Sequence, residues 1–391
     1  MRIFLCCQQS ARSHGVPAYG FWAHYFREAF TEAHHTCIEA PGCDWAEGLL
    51  SLSHEERRAW TERTWTTAFD YVKREHARAP IDLFLSYLFP AQVEPSALAE
   101  VRALGIPSVN FFCDNVREFR RVPTEFRAFD LHWVPEHKAI PLYARAGLPW
   151  LHAPMACWVP PEHRRPVNEE KYPVTFVGTR DEQRERLFAE ALRGGLRIDL
   201  RGTGWLRSGD AVVSSRAKNP LTIARRQLEF ARKDGWNALG RKVGQCLNPP
   251  ASAGFDFSPY AKPALSADEY WQVIRESTVL LGVNRYPSLR LPRDRPDSYS
   301  RLRDIEAPMA GACYLTEWTE ALDQLYDLGR EIEVYRDAGE LAEKAQALAR
   351  DAERRKALRE RGQRRALAEH NIARTIVRIA ERLGCAQRPA A

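Results

Sequence analysis

The chain alternates short apolar runs with longer amphipathic stretches. The first run, "RIFLCC", leads into a polar loop, "QQSARSHGVPAYG". From about Phe21 to Ala33, aromatic residues then recur on one face of a predicted helix. "IDLFLSYLFP" reads as a strand, "EPSALAEVRALG" as a helix and "IPSVNFFCDN" as the next strand. "FDLHWVP" and "PWLHAPMA" add further strands. Strand, helix and strand at this spacing predict right-handed crossovers and a parallel sheet. No G-x-G-x-x-G follows a strand, so no dinucleotide cofactor is expected in this half.

The Pro-rich "WVPPEHRRPVNEEKYP", Trp158 to Pro173, reads as an interdomain linker, and after it the alternation restarts. "VTFVG" is a strand, "DEQRERLFAEALRGG" a helix with a glycine stop, and "LRIDLRG" another strand. The alternation lapses over about residues 205–263 and resumes with "SADEYWQVIRES", a capped helix, and "TVLLGVN", a buried strand. The pattern predicts an α/β fold of two Rossmann-like domains facing each other across a cleft. The first would occupy residues 1–165 and the second 166–370, with a C-terminal helix at 371–391 placed to cross back to the first.

Composition narrows the function classes. Hydrophobic content is 45% of 391 residues, and no apolar run approaches the roughly 18 residues of a membrane span. The start, "MRIFLCCQQS", reads as a strand rather than a signal peptide. Nine scattered cysteines without C-x-x-C pairs argue against zinc or redox motifs, and a reducing cytoplasm is the expected compartment. The net charge of +6 is unevenly placed: between Arg201 and Pro250 ten Lys or Arg face three Asp or Glu. Such a patch suits phosphates, nucleic acid, acidic lipid or simply a solvated helix face. With only Trp205, Phe230 and Trp236 interleaved, nucleic acid is not the expected partner. A membrane surface or a phosphate-bearing acceptor fits the insertion better.

The stretch "SYSRLRDIEAPMAGACYLTEWTEALDQLYDLGREIEVYRD", Ser298 to Asp337, reads as helix, strand, helix, strand. Pro308 is tolerated in a first helical turn, where the N–H groups lack partners, so the helix is expected to start near Asp304 or Ile305. That puts Glu306 in the first turn, at the C-terminal edge of a parallel sheet, where ligands bind. A carboxylate there suits both hydroxyls of a ribose, and it equally suits the helix dipole. Arg303 is a cation at the wrong end of a helix for dipole stability. It suits a diphosphate, with a salt bridge to Asp304 or Glu306 as the competing explanation, and Arg301 is a weaker candidate of the same kind. Gly311 permits either close ligand approach or a helix stop. In "FVGTRDEQR", Gly178 and Thr179 join a strand to a helix N-terminus, a geometry that offers N–H groups to an anion, and Arg180 and Arg184 would add charge. Gly202 in "RGTGW" and Asn284 after "TVLLGV" stand at neighbouring strand ends.

These residues resemble the C-terminal domain of glycosyltransferases of the GT-B fold, and within them the spore-maturation CgeB-like branch. Arg303, Glu306, Pro308, Gly311, Thr316, Glu317 and Glu331-Ile332 supply that branch's pattern, and "YPVTFVGTRDEQRERL" with "LRGTGW" matches the start of the domain. The resemblance implies a metal-independent transferase using a nucleotide sugar as substrate, with no further cofactor. It makes Glu306 the ribose-binding glutamate and puts Arg303, Gly178 and Arg180 near the diphosphate. Many retaining relatives carry a second glutamate eight residues earlier; this chain has Ser298 there, which leaves the stereochemical course open. An inverting transfer needs a base near the acceptor, and His14 and Asp114 are the candidates. Loop hydrogen bonding for His14 and a helix N-cap for Asp114 are the structural alternatives. A sugar-nucleotide epimerase of the same fold and a non-catalytic polyanion-binding protein are the rival functions.

Overall fold

The computed structural model describes residues 1–12, 14, 20–167, 169–206, 238, 240–241 and 254–384. Most of the basic insertion expected at 205–263 lies outside the described residues. The chain divides into two compact units. One runs from Met1 to Trp158 and takes in the chain from Ala368 onward; the other is Val159–Leu367.

The first unit is built on six parallel strands: β1 (Arg2–Cys6), β2 (Thr36–Ile38), β3 (Leu83–Ser86), β4 (Ser108–Phe111), β5 (Leu131–Val134) and β6 (Trp150–His152). Their spatial order is β2-β1-β3-β4-β5-β6, so the direction of winding reverses between β1 and β3. β1, β3, β4 and β5 are near-continuous apolar runs because helices cover both faces of a parallel sheet. Helix α1 (Gly20–Glu32) turns Trp22, Phe26 and Phe30 inward at helical spacing, with Trp22 5.2 Å from Phe111 and Phe26 5.9 Å from Trp133. Helix α2 (His54–Arg78) is the longest in the protein's described part and starts at a Ser53–Glu56 capping box. It is followed by α3 (Pro95–Ala103), α4 (Asn115–Glu118) and α5 (Ile140–Ala146). The C-terminal helix, Ile372–Leu383, is capped by Asn371, buries Ile372, Ile376 and Ile379, and packs on α1. Arg378 of that helix donates to the His152 carbonyl at 2.8 Å.

The second unit repeats the scheme with β7 (Tyr172–Val177), β8 (Asp199–Arg201), β9 (Ala261–Lys262), β10 (Ser277–Gly282), β13 (Tyr314–Glu317) and β14 (Glu333–Tyr335). All are parallel, in the order β14-β13-β10-β7-β8-β9. This is the doubly wound order, and its switch point falls between β7 and β10. A two-stranded antiparallel pair, β11 (Arg285–Tyr286) and β12 (Asp297–Ser298), stands apart from the sheet. The helices are α6 (Glu182–Arg193), α7 (Ala267–Glu276), α8 (Arg303–Met309), α9 (Leu322–Leu325), α10 (Ala338–Arg350) and α11 (Ala352–Glu369). Trp205 and Phe257, inside the stretch expected to be an insertion, are both buried in this unit's core, 5.3 Å apart. Two buried arginines of α11 hold the opposite, N-terminal edge of the sheet. Arg359 donates to the carbonyls of Arg275, Gly311 and Ser277, and Arg355 and Arg359 share Glu170. No described helix is long and apolar enough to cross a membrane.

Candidate functional site

The switch point of the second unit is organised by a carboxylate the sequence did not single out. Asp304, wholly buried, accepts from Tyr314 Oη at 2.8 Å, Thr316 Oγ1 at 2.9 Å, Asn284 Nδ2 at 2.9 Å and the Arg301 amide at 3.2 Å. Burial raises its pKa, and the hydrogen bonds from Tyr314 and Thr316 work against that rise. These bonds fix the start of α8 over the C-terminal ends of β10 and β13. The helix begins at Arg303, one residue ahead of the expected start, and Glu306 does lie in its first turn. Pro308 is the sixth residue rather than a first-turn one; its missing donor is tolerated because the helix ends at Met309.

Glu306 is 2% exposed, and its Oε2 accepts from Tyr270 Oη of α7 at 2.6 Å and pairs with Arg303 Nε at 3.3 Å. Arg303 also reaches the Val177 carbonyl at the end of β7, 3.5 Å away, and lies 5.1 Å from the Tyr270 ring. So the salt bridge offered as the competing explanation for Arg303 exists, and it is made within the crevice. Arg184 approaches from α6: its Nη1 donates to the Thr179 carbonyl at 2.6 Å and its guanidinium lies over Phe176 at 5.4 Å. Burial lowers the Arg184 pKa and Asp181 opposes the fall, while Arg301 and Arg303 are close enough to lower it further. Arg184, which also pairs with Asp181 Oδ2 at 3.3 Å, and Arg303, paired with Glu306, thus stand at the ends of the two central strands, with Arg301 near enough to act on Arg184.

Four of the expected site features have other partners in the structure. The N-terminus of α6 does not offer its first amides to an anion, because Asp181 caps it by accepting from the Gln183 and Arg184 amides, both at 3.0 Å. Arg180 turns away to Glu185, with Nε 2.6 Å from the carboxylate, and its backbone N–H bonds to the Thr203 carbonyl. The Asn284 amide is spent internally on Asp304, Thr316 and the Glu317 carbonyl. Gly311 lies at the far end of α8, where φ of +78° and the bonds Gly311 N to Pro308 O and Ala312 N to Ala307 O form a Schellman stop. It faces the N-terminal edge of the sheet, where its carbonyl accepts from Arg359 at 3.1 Å. Gly202 supports the site from behind: φ is +123°, and a Cβ there would sit 2.5 Å from the Gly178 carbonyl oxygen. Only glycine lets the turn after β8 close on the Gly178–Thr179 turn.

In the first unit, His14 Nε2 lies 2.8 Å from Asp44 Oδ2, and Asp44 is held in turn by the Glu47 amide at 2.9 Å. Loop hydrogen bonding was the structural alternative for His14, and this bond joins two loop residues; a carboxylate partner is also the arrangement that orients an imidazole for proton transfer. Beside this pair is an open cavity of about 910 Å³ with Asp44 in its wall. Within that wall Arg27 pairs with Glu39 and Arg63 with Glu47. Asp114 occupies the N-cap position of α4, yet its side chain makes no capping bond. Its charge falls on Glu136, a buried carboxyl just after β5. Sequence reading missed Asp44, Tyr270, Asp304 and Glu136. Asp44 and Tyr270 are thirty-odd residues from the groups they hold, a separation that leaves no local signal. Among the described residues no three of His, Cys, Asp and Glu come together as a metal site.

The glycosyl transferase-like family matches residues 183–381, and the chain belongs to that family. The matched stretch contains Arg184, Asn284, Arg301, Arg303 and Glu306. Among solved structures, sucrose-phosphate synthase from Thermosynechococcus elongatus is similar over 98% of this chain and 99% of its own, with a TM-score of 0.57 at 14% identity. A glycosyltransferase from Rickettsia africae ESF-5 gives the same coverage and TM-score at 10% identity. HepE of Anabaena, solved in complex with UDP, gives a TM-score of 0.52 at 13% identity over 98% of this chain and 99% of its own. At such identities the likeness is one of fold: two parallel-sheet α/β units, the GT-B class of glycosyltransferases. No curated protein sequence matches.

Proposed function

We propose that this protein transfers a sugar from a nucleoside-diphosphate donor bound at the C-terminal edge of the second unit. The observation that carries the proposal is the convergence of Arg184, Arg301, Arg303 and Glu306 at the switch point between β7 and β10. Departure of a nucleoside diphosphate develops charge on its bridging oxygen. Guanidinium groups fixed before the reaction stabilise that charge without solvent reorganisation and without calling on a metal ion. Gly178 and Thr179 form the turn beneath the phosphates, and the Glu306 carboxylate takes the ribose hydroxyls. A protein of the same fold, HepE of Anabaena, was solved with UDP and with UDP-glucose, which favours this class of donor.

His14, oriented by Asp44, is the proposed general base that takes the acceptor proton, and Asp114 is the second candidate. The buried free thiols among the described cysteines fit a reducing, cytoplasmic setting. Membership of the CgeB-like branch and contact of the basic insertion with a phosphate-bearing acceptor or membrane surface belong to the same proposal.

The test is slow donor hydrolysis. UDP-, GDP-, dTDP- and ADP-hexoses are incubated with the protein, with and without EDTA, and the nucleoside diphosphate released is measured. The proposal expects release from one donor class, unaffected by EDTA and lost in Arg303→Gln. Release that is equal in wild type and Arg303→Gln, or that requires added metal, would contradict it.

A further inference from the structure

One side chain touches both of the residues that define the crevice, and neither the family match nor the motif singles it out. Tyr270 lies on α7, whose start is fixed by a Ser266–Glu269 capping box. The rest of its surroundings hold the ring in place: Trp271 lies edge-on at 5.2 Å, and Trp271 stacks on His163 at 5.6 Å. From this helix the Tyr270 hydroxyl donates to Glu306 Oε2 at 2.6 Å, and the Arg303 guanidinium lies 5.1 Å from the ring centre. The two contacts are chemically separate. A short bond to the carboxylate fixes its rotamer, whereas the ring face attracts the guanidinium through its quadrupole.

Without the hydroxyl, the Glu306 carboxylate would lose its 2.6 Å bond and keep the longer pair with Arg303 three residues back, at 3.3 Å. A carboxylate that must receive two adjacent ribose hydroxyls needs a fixed plane. A guanidinium that must receive a diphosphate needs a fixed orientation beside its carboxylate partner. The ring and the hydroxyl of Tyr270 meet these needs separately.

We infer that Tyr270 is the positioning residue of the nucleotide site, its hydroxyl setting Glu306 for the ribose and its ring setting Arg303 for the diphosphate. This rests on the donor-site reading above. It makes a prediction that a merely structural tyrosine does not: the two parts of the ligand respond to different substitutions.

The experiment measures binding by calorimetry for three probes. They are whichever of UDP, GDP and ADP binds wild type, its 2′-deoxy counterpart, and inorganic pyrophosphate. Wild type is expected to favour the ribonucleotide over the deoxy form by about tenfold or more, the worth of a hydrogen bond to a charged group. Tyr270→Phe keeps the ring, so it should cut that preference to about twofold and leave pyrophosphate binding unchanged. Tyr270→Leu should in addition weaken pyrophosphate severalfold, and melting curves of both variants establish that they are folded. If Tyr270→Phe keeps the wild-type preference, or weakens all three probes alike, the inference is overturned while the donor site stands. If wild type binds none of the nucleotides, the donor-site reading falls and the inference with it.

Discussion

Replacing Glu136 by glutamine should make the first unit more stable at neutral and alkaline pH. Glu136 follows β5, is 1% exposed, and receives a 3.3 Å bond from the Val116 amide. Burial, helped by the nearby charge of Asp114, pushes its pKa up to about 8 from an ordinary 4.5, against the hydrogen bonds from Asn115 and Val116. Between those two values the folded chain keeps a proton that the unfolded chain releases, so stability falls as pH rises. The slope is about 1.4 kcal/mol per pH unit, the total is roughly 4–5 kcal/mol, and the fall ends above about pH 8. Glutamine has nearly the same shape and no proton to keep, so Glu136→Gln should match wild type near pH 4.5 and exceed it progressively up to pH 8. Urea unfolding followed by tryptophan fluorescence suits the measurement, because seven of the eleven tryptophans lie between Met1 and Trp158. Taking the difference between the two proteins at each pH cancels the titration of every other group. A difference that stays flat from pH 5 to 8 would refute the reasoning, since it would mean that Glu136 is ionised in the folded protein like any exposed carboxylate.

Two other substitutions separate structure from chemistry. Gly202→Ala should cost the second unit about 2–4 kcal/mol, from a Cβ placed 2.5 Å from the Gly178 carbonyl at a backbone φ of +123°, and chemical denaturation would show it. His14→Gln and Asp44→Asn should lower sugar transfer to acceptor about 100-fold while leaving nucleotide affinity and melting temperature unchanged; a parallel loss of nucleotide affinity would rule out the proton-transfer role.

Much of the fold was legible because parallel strands are nearly uniform apolar runs, as in "TVLLGVN" at β10 and "IPSVNFF" at β4. Helix stops and caps read well too, with α6 ending at Gly194 and α7 starting at Ser266. Helix α2 went unread: its buried stripe of Trp60, Thr64, Trp65, Ala68 and Val72 is narrow and partly polar, and the rest of its surface is charged or threonine-rich. β9, only two residues long, escaped because a pair of residues carries no period. In the site, the first-turn placement of Glu306 was read from Pro308, which proves to be the sixth residue of the helix, but which residues face the ligand was not legible. Gly311 and Asn284 have the right types at strand and helix ends, and the fold spends them on a helix stop and on holding Asp304. Arg180 and Arg184 are four residues apart on adjoining turns, yet Glu185 draws one aside while Phe176 and Thr179 hold the other at the crevice. Such choices depend on partners distant in the chain, which local spacing does not encode.

The most direct test of the central claim is the melting temperature of wild type and Glu306→Ala against UDP, GDP, dTDP, CMP and ADP. A ligand that binds only the folded chain raises its melting temperature by mass action. One diphosphate stabilising wild type, with the shift abolished in Glu306→Ala, is the result predicted for a donor site at α8. Equal shifts in both proteins would remove Glu306 from the site, and no shift with any nucleotide would contradict a nucleotide-sugar donor altogether.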